Sequence, residues 1–223
     1  MDEYLTCNLC PRKCGINRHE KLGFCKSPAF PVVNISMIHH GEEPPISGDA
    51  SGIRGSGTVF FEGCSLRCPF CQNYCISNGT TGKGEIKSAE ELADLYLKLQ
   101  DDGAYNINLV TPLHYSPEVS KSIMISKNRG LIIPVAINTG GYESVETLRM
   151  LEGKIDIYLT DMKYSDPDIA GTLSEAPDSG KNGQPESRSD CHAWGSHPIW
   201  FMQSGIAGIR SDAPWFEKVI VNP

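Results

Sequence analysis

No run of apolar residues in this chain approaches the ~20 needed to cross a bilayer, so the sequence predicts no membrane-spanning helix. Its start, Met1-Asp2-Glu3-Tyr4, is neither basic nor apolar, and no export signal is legible. A basic surplus is also missing: 20 Lys and Arg stand against 27 Asp and Glu, for a formal charge of −7 and a pI near 5.4. That balance argues against a nucleic-acid or anionic-membrane surface. The phosphate-loop signature G-x4-G-K-[ST] is absent, and no helix follows directly behind the glycines around Arg54. What remains is a 223-residue chain, 39% hydrophobic, long enough for one ordinary domain with a core plus an appendage.

Cysteine is what the chain has in excess. Nine are many for this length, and an odd total fits a closed disulfide set poorly. Short spacings without an export signal favour metal or cluster ligation in a reducing cytoplasm. The organising stretch is Gly63-Cys64-Ser65-Leu66-Arg67-Cys68-Pro69-Phe70-Cys71, which follows the apolar run Thr58-Val59-Phe60-Phe61. Three thiolates at C-x3-C-x2-C on one loop can hold three irons of a [4Fe–4S] cube and leave the fourth open to a small molecule. The competing reading is a zinc loop completed by Cys75. Nearer the start, Cys7, Cys10, Cys14 and Cys25 form C-x2-C-x3-C-x10-C, suited to a closed zinc site or an accessory Fe–S cluster. Residues 28–57 read as a turn-rich connector with one strand at Val32 to Ile38, and His39-His40 as an exposed loop pair rather than ligands.

From Thr58 the chain alternates strand and helix. Strands are expected at Thr58–Phe61, Ile107–Val110, Leu131–Ile137 and Ile155–Leu159. Helices are expected at Ser88–Leu99, from Ser116-Pro117 onward, and at Glu143–Leu151. The first carries an S-x-x-E capping box and an apolar face of Leu92, Leu95, Tyr96 and Leu99. In the second, Ser116 is the expected N-cap and Val119, Ile123 and Met124 the buried stripe. Alternation of this kind gives right-handed βαβ units and a parallel sheet, whose ligands bind at the C-terminal strand ends. Those ends carry the three cysteines, then Thr111-Pro112-Leu113-His114-Tyr115, then Asn138-Thr139-Gly140-Gly141-Tyr142, then Thr160-Asp161-Met162-Lys163-Tyr164. Asp161 and Lys163 at the ends of apolar strands point to a site, with a surface ion pair as the bland alternative.

Cys68-Pro69-Phe70-Cys71-Gln72-Asn73-Tyr74 and the three rim segments resemble the radical S-adenosylmethionine (SAM) superfamily. Within it, residues 1 to about 178 most resemble pyruvate formate-lyase activating enzyme-like proteins, activases of glycyl-radical enzymes, that carry an N-terminal cysteine-rich segment. The resemblance implies an α/β fold, a radical SAM (βα) partial barrel. It implies a [4Fe–4S] cluster on Cys64, Cys68 and Cys71, with SAM chelated by the open iron. One electron from the reduced cluster would break the C5′–S bond of SAM, and the 5′-deoxyadenosyl radical would abstract hydrogen from a partner glycine. Phe70 would lie against the adenine side, Lys163 of the Asp161-x-Lys163 pair would meet the SAM carboxylate, and Asn138 stands where activases often carry Asp. Flavodoxin or ferredoxin is the implied electron donor, and no protein side chain is implied as a catalytic acid or base. Three family features are absent: Thr111-Pro112 stands in place of the Gly-Gly-Glu after the second strand, the barrel is incomplete, with four strands legible, and the Gly-rich adenine contact after a fifth strand is missing.

The periodic pattern stops at 179–187. Ser189-Asp190-Cys191-His192-Ala193-Trp194 and the residues to Phe216 resemble the C-terminal part of bacterial α-L-rhamnosidases, with an amphipathic helix expected around Pro198 to Ile206. The catalytic barrel of such hydrolases is absent, so no glycosidase activity is implied. The expected organisation is a Cys-rich metal- or cluster-binding segment at 1–50, a truncated radical SAM core at 51–178 and a rhamnosidase-like fragment at 179–223. On the residues alone, a non-catalytic metal-binding module and a chimera that holds the cluster without turnover stay open beside the enzyme reading.

Overall fold

The computed structural model describes residues 2–41, 44–48, 55–79, 81–161, 163–164, 167–176, 209–211 and 219–221. In chain order the elements are β1 (Val32–His39), α1 (Pro44–Ser47), β2 (Ser56–Phe61), α2 (Tyr74–Ser77), β3 (Glu85–Ile86), α3 (Ala89–Asp101) and β4 (Ile107–Val110). A 3-10 turn at Leu113–Tyr115 leads into α4 (Ser116–Asn128), then β5 (Val135–Thr139), α5 (Val145–Met150), β6 (Ile157–Thr160) and α6 (Pro167–Ser174). Two short strands, β7 (Ile209–Ser211) and β8 (Val219–Val221), pair antiparallel with each other.

The central sheet runs β3-β1-β2-β4-β5-β6 and is open among the described residues. Strands β2, β4, β5 and β6 pair in parallel, as alternation with helices requires. This is the α/β architecture of a partial (βα) barrel. At the other side β1 and β3 add antiparallel, so the strand expected at Val32 to Ile38 is part of the main sheet. The core lies between the sheet and its helices: Val59, Phe61, Ile107, Leu109, Val135 and Ile137 meet Leu92, Tyr96, Leu99, Val119, Ile123 and Leu151.

Local chemistry sets the element boundaries. Ser88 caps α3 as expected: its hydroxyl accepts from the Glu91 N–H at 3.2 Å, while the Glu91 carboxylate accepts from the Ser88 N–H at 2.7 Å. Ser88→Ala is expected to cost about 1 kcal/mol in urea unfolding, the usual worth of such a cap. Helix α4 departs from expectation at its start. Ser116 is its first residue and Tyr115 the N-cap, because the 3-10 turn at Leu113–Tyr115 winds straight into it. Its buried stripe also differs: Val119, Ile123 and Ser126 lie inside, whereas Met124 is 53% exposed, since it sits about 140° round from Val119 at 100° per residue. Strand β5 begins at Val135 rather than Leu131. Pro134 has no N–H to give a ladder, and the N–H groups of Ile132 and Ile133 turn to the Gln100 Oε1 at 2.7 and 3.3 Å instead.

The N-terminal segment packs on α5. Tyr4, Cys7, Leu9 and Ala29 form a small apolar cluster with Ile16 and Met150. The Thr147 hydroxyl donates to the Leu9 carbonyl at 2.5 Å, and Ser144 caps α5 through the Thr147 N–H. The helix expected around Pro198 to Ile206 lies outside the described residues, as does the rhamnosidase-like run except Ile209–Ser211. Among the described residues no helix is long and apolar enough to cross a membrane.

Candidate functional site

Parallel strands of similar length end at one rim, and the loops leaving β2, β4, β5 and β6 enclose a cavity of about 720 Å³ there. Its wall includes Cys64, Cys68, Phe70 and Cys71 from the first loop, Thr111 from the second, Asn138 from β5, and Asp161 and Lys163 beyond β6. All seven residues expected from the sequence to meet the cluster or SAM therefore face one space, of a size that suits a small-molecule ligand. Cys75 is exposed and absent from that wall, so nothing here supports a zinc loop completed by it. His39 lines the same cavity.

The cysteine loop is held from several sides. At its start, Gly63 has φ +85°, and a Cβ there would stand 2.0 Å from the Ser27 hydroxyl and 2.4 Å from the Cys25 carbonyl. Only glycine gives this close, left-handed exit from β2. The Cys64 N–H donates to the Cys25 carbonyl at 3.2 Å and the Leu66 N–H points to the Cys64 sulfur at 3.4 Å. Cys68 Sγ shares a 2.8 Å hydrogen bond with the Ser174 hydroxyl, which also meets the Tyr164 hydroxyl at 2.6 Å. Cys71 Sγ is 3.3 Å from the Ser77 hydroxyl on α2. Burial pushes the Cys64 thiol up to about 12, against the pull of the Leu66 N–H, so ligation by this sulfur has to displace its proton.

Three further groups shape the rim without an obvious sequence signal. Glu62, fully buried, accepts from Asn34 Nδ2 at 2.6 Å, from the Thr81 hydroxyl at 2.6 Å and from the Thr81 N–H at 3.1 Å. It thereby ties β1 and the 81–84 turn to the residue just before the loop. Glu62→Ala is expected to cost about 2 kcal/mol in chemical unfolding, because it leaves three half-buried donors without their acceptor. His114 is buried and hydrogen-bonds through Nε2 to the Glu62 carbonyl at 2.9 Å. Burial, helped by the Arg18 charge, pushes its pKa down to about 3. Glu143, behind Gly140-Gly141-Tyr142, is pushed up to about 8 by burial, opposed by the Thr139 hydroxyl and the Lys163 charge. The only hint of it in sequence is an acid two residues beyond a glycine pair at a strand end.

The His114 shift has a consequence for stability. The unfolded imidazole takes a proton below about 6.5, whereas the folded one refuses it until about 3. Stability is thus present above pH ~6.5 and is lost as pH falls toward 3, by up to about 1.4 kcal/mol per pH unit. Urea midpoints measured from pH 7 to 4 are expected to fall, and less steeply in His114→Asn.

Asp161 and Lys163 form an ion pair, with Asp161 exposed and Lys163 half-buried. Burial alone would lower the ammonium, but the Asp161 hydrogen bond and charge, with Cys68 and Cys64 nearby, raise it. The pair stands at the cavity wall. In the N-terminal set, Cys7 and Cys25 are buried and Cys14 exposed. Burial pushes the Cys10 thiol up to about 11, with Cys25, Cys7 and Cys14 adding to it. Among the described residues no three His, Cys, Asp or Glu side chains are grouped to hold a single metal ion. A cube takes each thiolate on a different iron, so the three loop thiols on one cavity wall fit a cluster.

The radical SAM superfamily model matches residues 58–177. An uncharacterized protein of Methanocaldococcus jannaschii is 30% identical over 180 residues, which cover 77% of this chain and 49% of that protein. The chain spans about half the length of that curated relative.

Proposed function

The chain belongs to the radical SAM superfamily, and on that premise we propose that Cys64, Cys68 and Cys71 hold its [4Fe–4S] cluster and that the 720 Å³ cavity receives SAM. A cluster and SAM are the cofactors of this superfamily. The cluster supplies one electron for reductive cleavage of SAM when both are bound. The observation that carries the assignment is the meeting of seven sequence-expected residues on one wall at the C-terminal strand ends.

This chain's residues would do the rest. The Lys163 ammonium, held by Asp161, is placed to pair with a carboxylate such as that of SAM. Phe70, 55% exposed at the cavity, offers a face for the adenine. The Asn138 amide provides a neutral donor and acceptor at the end of β5. Lys163→Met is expected to raise the SAM concentration for half-maximal cleavage about 10- to 100-fold, with iron content unchanged.

The finer reading is activation of a glycyl-radical enzyme in a reducing cytoplasm, fed by flavodoxin or ferredoxin. Its support is the set of motifs quoted above, with the same domain boundaries near residues 50 and 178. Anaerobic incubation of the reduced chain with SAM and a candidate glycyl-radical enzyme tests it. A glycyl-radical EPR signal on the partner, matched by 5′-deoxyadenosine, is the expected result. A second reading, cluster binding without turnover, draws on β6: it stands at the edge of the open sheet among the described residues. Cluster present with no 5′-deoxyadenosine under any reductant would favour it.

A further inference from the structure

We propose that Cys7, Cys10, Cys14 and Cys25 carry a second iron–sulfur cluster, an anionic four-thiolate centre that neutralises the buried Arg18 and forms the floor under Cys64. Its metal content does not rest on the SAM reading; its link to Cys64 does.

The first support is the fold of the segment. The Cys7 N–H donates to the Ile16 carbonyl at 3.0 Å, the Gly15 N–H to the Cys7 carbonyl at 2.9 Å and the Lys13 N–H to the Cys10 carbonyl at 3.0 Å. These tight turns bring the first three thiols onto one knot. Cys25 comes back to them: its sulfur and that of Cys14 lie 3.6 and 3.5 Å from the point where a Gly23 Cβ would stand. Cys10 is within electrostatic reach of the other three. Among the described residues no three such side chains are grouped for a single metal ion, whereas a cube takes each thiolate on a different iron.

The second support is charge. Arg18 is 2% exposed. It donates to the carbonyls of Ser27, Pro28 and His114, lies against the rings of Tyr4 and Tyr115, and reaches Cys7 Sγ at 4.0 Å. Arg12 and Arg67 stack on Phe24, beside Cys25, at 3.4 and 4.4 Å, and donate to backbone carbonyls. Among the described residues no carboxylate forms an ion pair with any of the three. A buried cation without a counter-charge is a large penalty. Four neutral thiols leave it unpaid; four thiolates on an oxidised cube carry a net charge of about −2 and remove it.

The third is contact with the radical loop. The Cys25 carbonyl accepts the Cys64 N–H, Arg12 Nε donates to the Ser65 carbonyl at 2.6 Å, and Cys10 and Cys64 line one narrow space of about 20 Å³. Loading the N-terminal thiols therefore fixes the backbone from which Cys64 projects.

The test uses the full chain with Cys64, Cys68 and Cys71 all changed to serine, reconstituted anaerobically with iron and sulfide. About four iron per chain, retained there and lost when Cys10→Ser and Cys14→Ser are added, is the expected result. Zinc alone, no metal, or iron indifferent to the added pair would overturn the proposal. The charge is read separately on the same triple-serine chain: Arg18→Met is expected to speed iron loss to a chelator at least tenfold, with Arg18→Lys restoring most of it. Equal rates in all three would overturn the counter-charge role. A SAM-responsive EPR signal from the wild-type chain reads the loop cluster independently, so failure of either site is seen by itself.

Discussion

Cys68→Ser is expected to lose iron from the radical loop and to lower SAM cleavage by about a thousandfold or more, while leaving the fold almost unchanged. Serine is close to cysteine in size and keeps the hydrogen bond that Cys68 makes with Ser174 at 2.8 Å. Cys68 is buried between that hydroxyl and the cavity wall, so the surrounding packing has no reason to move. What changes is the donor: a hard hydroxyl replaces a soft thiolate, and an iron site built from three cysteines drops to two. Iron and sulfide content, 5′-deoxyadenosine yield and the thermal midpoint separate the two effects. Full iron with undiminished cleavage in this variant would remove Cys68 from the ligand set. A collapsed midpoint would mean that the thiol is mainly structural.

Gly63→Ala has the opposite signature: the fold around the loop fails first and the cluster is lost as a result. Its added Cβ would sit 2.0 Å from the Ser27 Oγ and 2.4 Å from the Cys25 carbonyl, at a φ of +85° that alanine avoids. The obstacles do not yield easily. Ser27 is fully buried, and its hydroxyl is bonded to the Cys25 and Glu62 carbonyls. The Cys25 carbonyl is itself the acceptor for the Cys64 N–H. The expected cost is about 3 kcal/mol or more, read as a lower urea midpoint together with lower iron retention. An unshifted midpoint would show that β2 and the N-terminal segment do not press on each other as the structure has them.

Much of the site was legible because its chemistry is local in sequence. The loop cysteines lie within eight residues, and each remaining group follows directly from an apolar strand. A parallel sheet carries such residues to one rim without further information. The elements that were misread depend on contacts far away in the chain. Pro134 and Gln100 together delay β5, and Met124 turns outward because the helix period places Ser126, not Met124, on the face of Val119. The roles of Glu62, His114 and Arg18 have no local signal for the same reason: each is held in part by a distant group, Glu62 by Asn34 and Thr81, His114 by the Glu62 carbonyl and Arg18 by the His114 carbonyl, 19 to 96 residues away. The antiparallel pairing of β1 with β2 likewise joins residues at the two ends of the turn-rich stretch 28–57.

The most direct measurement is EPR of the anaerobically reconstituted, dithionite-reduced wild-type chain, with and without SAM. A [4Fe–4S]⁺ signal that shifts when SAM is added, with 5′-deoxyadenosine formed on turnover, is the expected result. It would place an open iron at Cys64, Cys68 and Cys71 and SAM in the cavity they share with Lys163. A cluster signal indifferent to SAM, with no nucleoside released, would contradict the cavity as a SAM site.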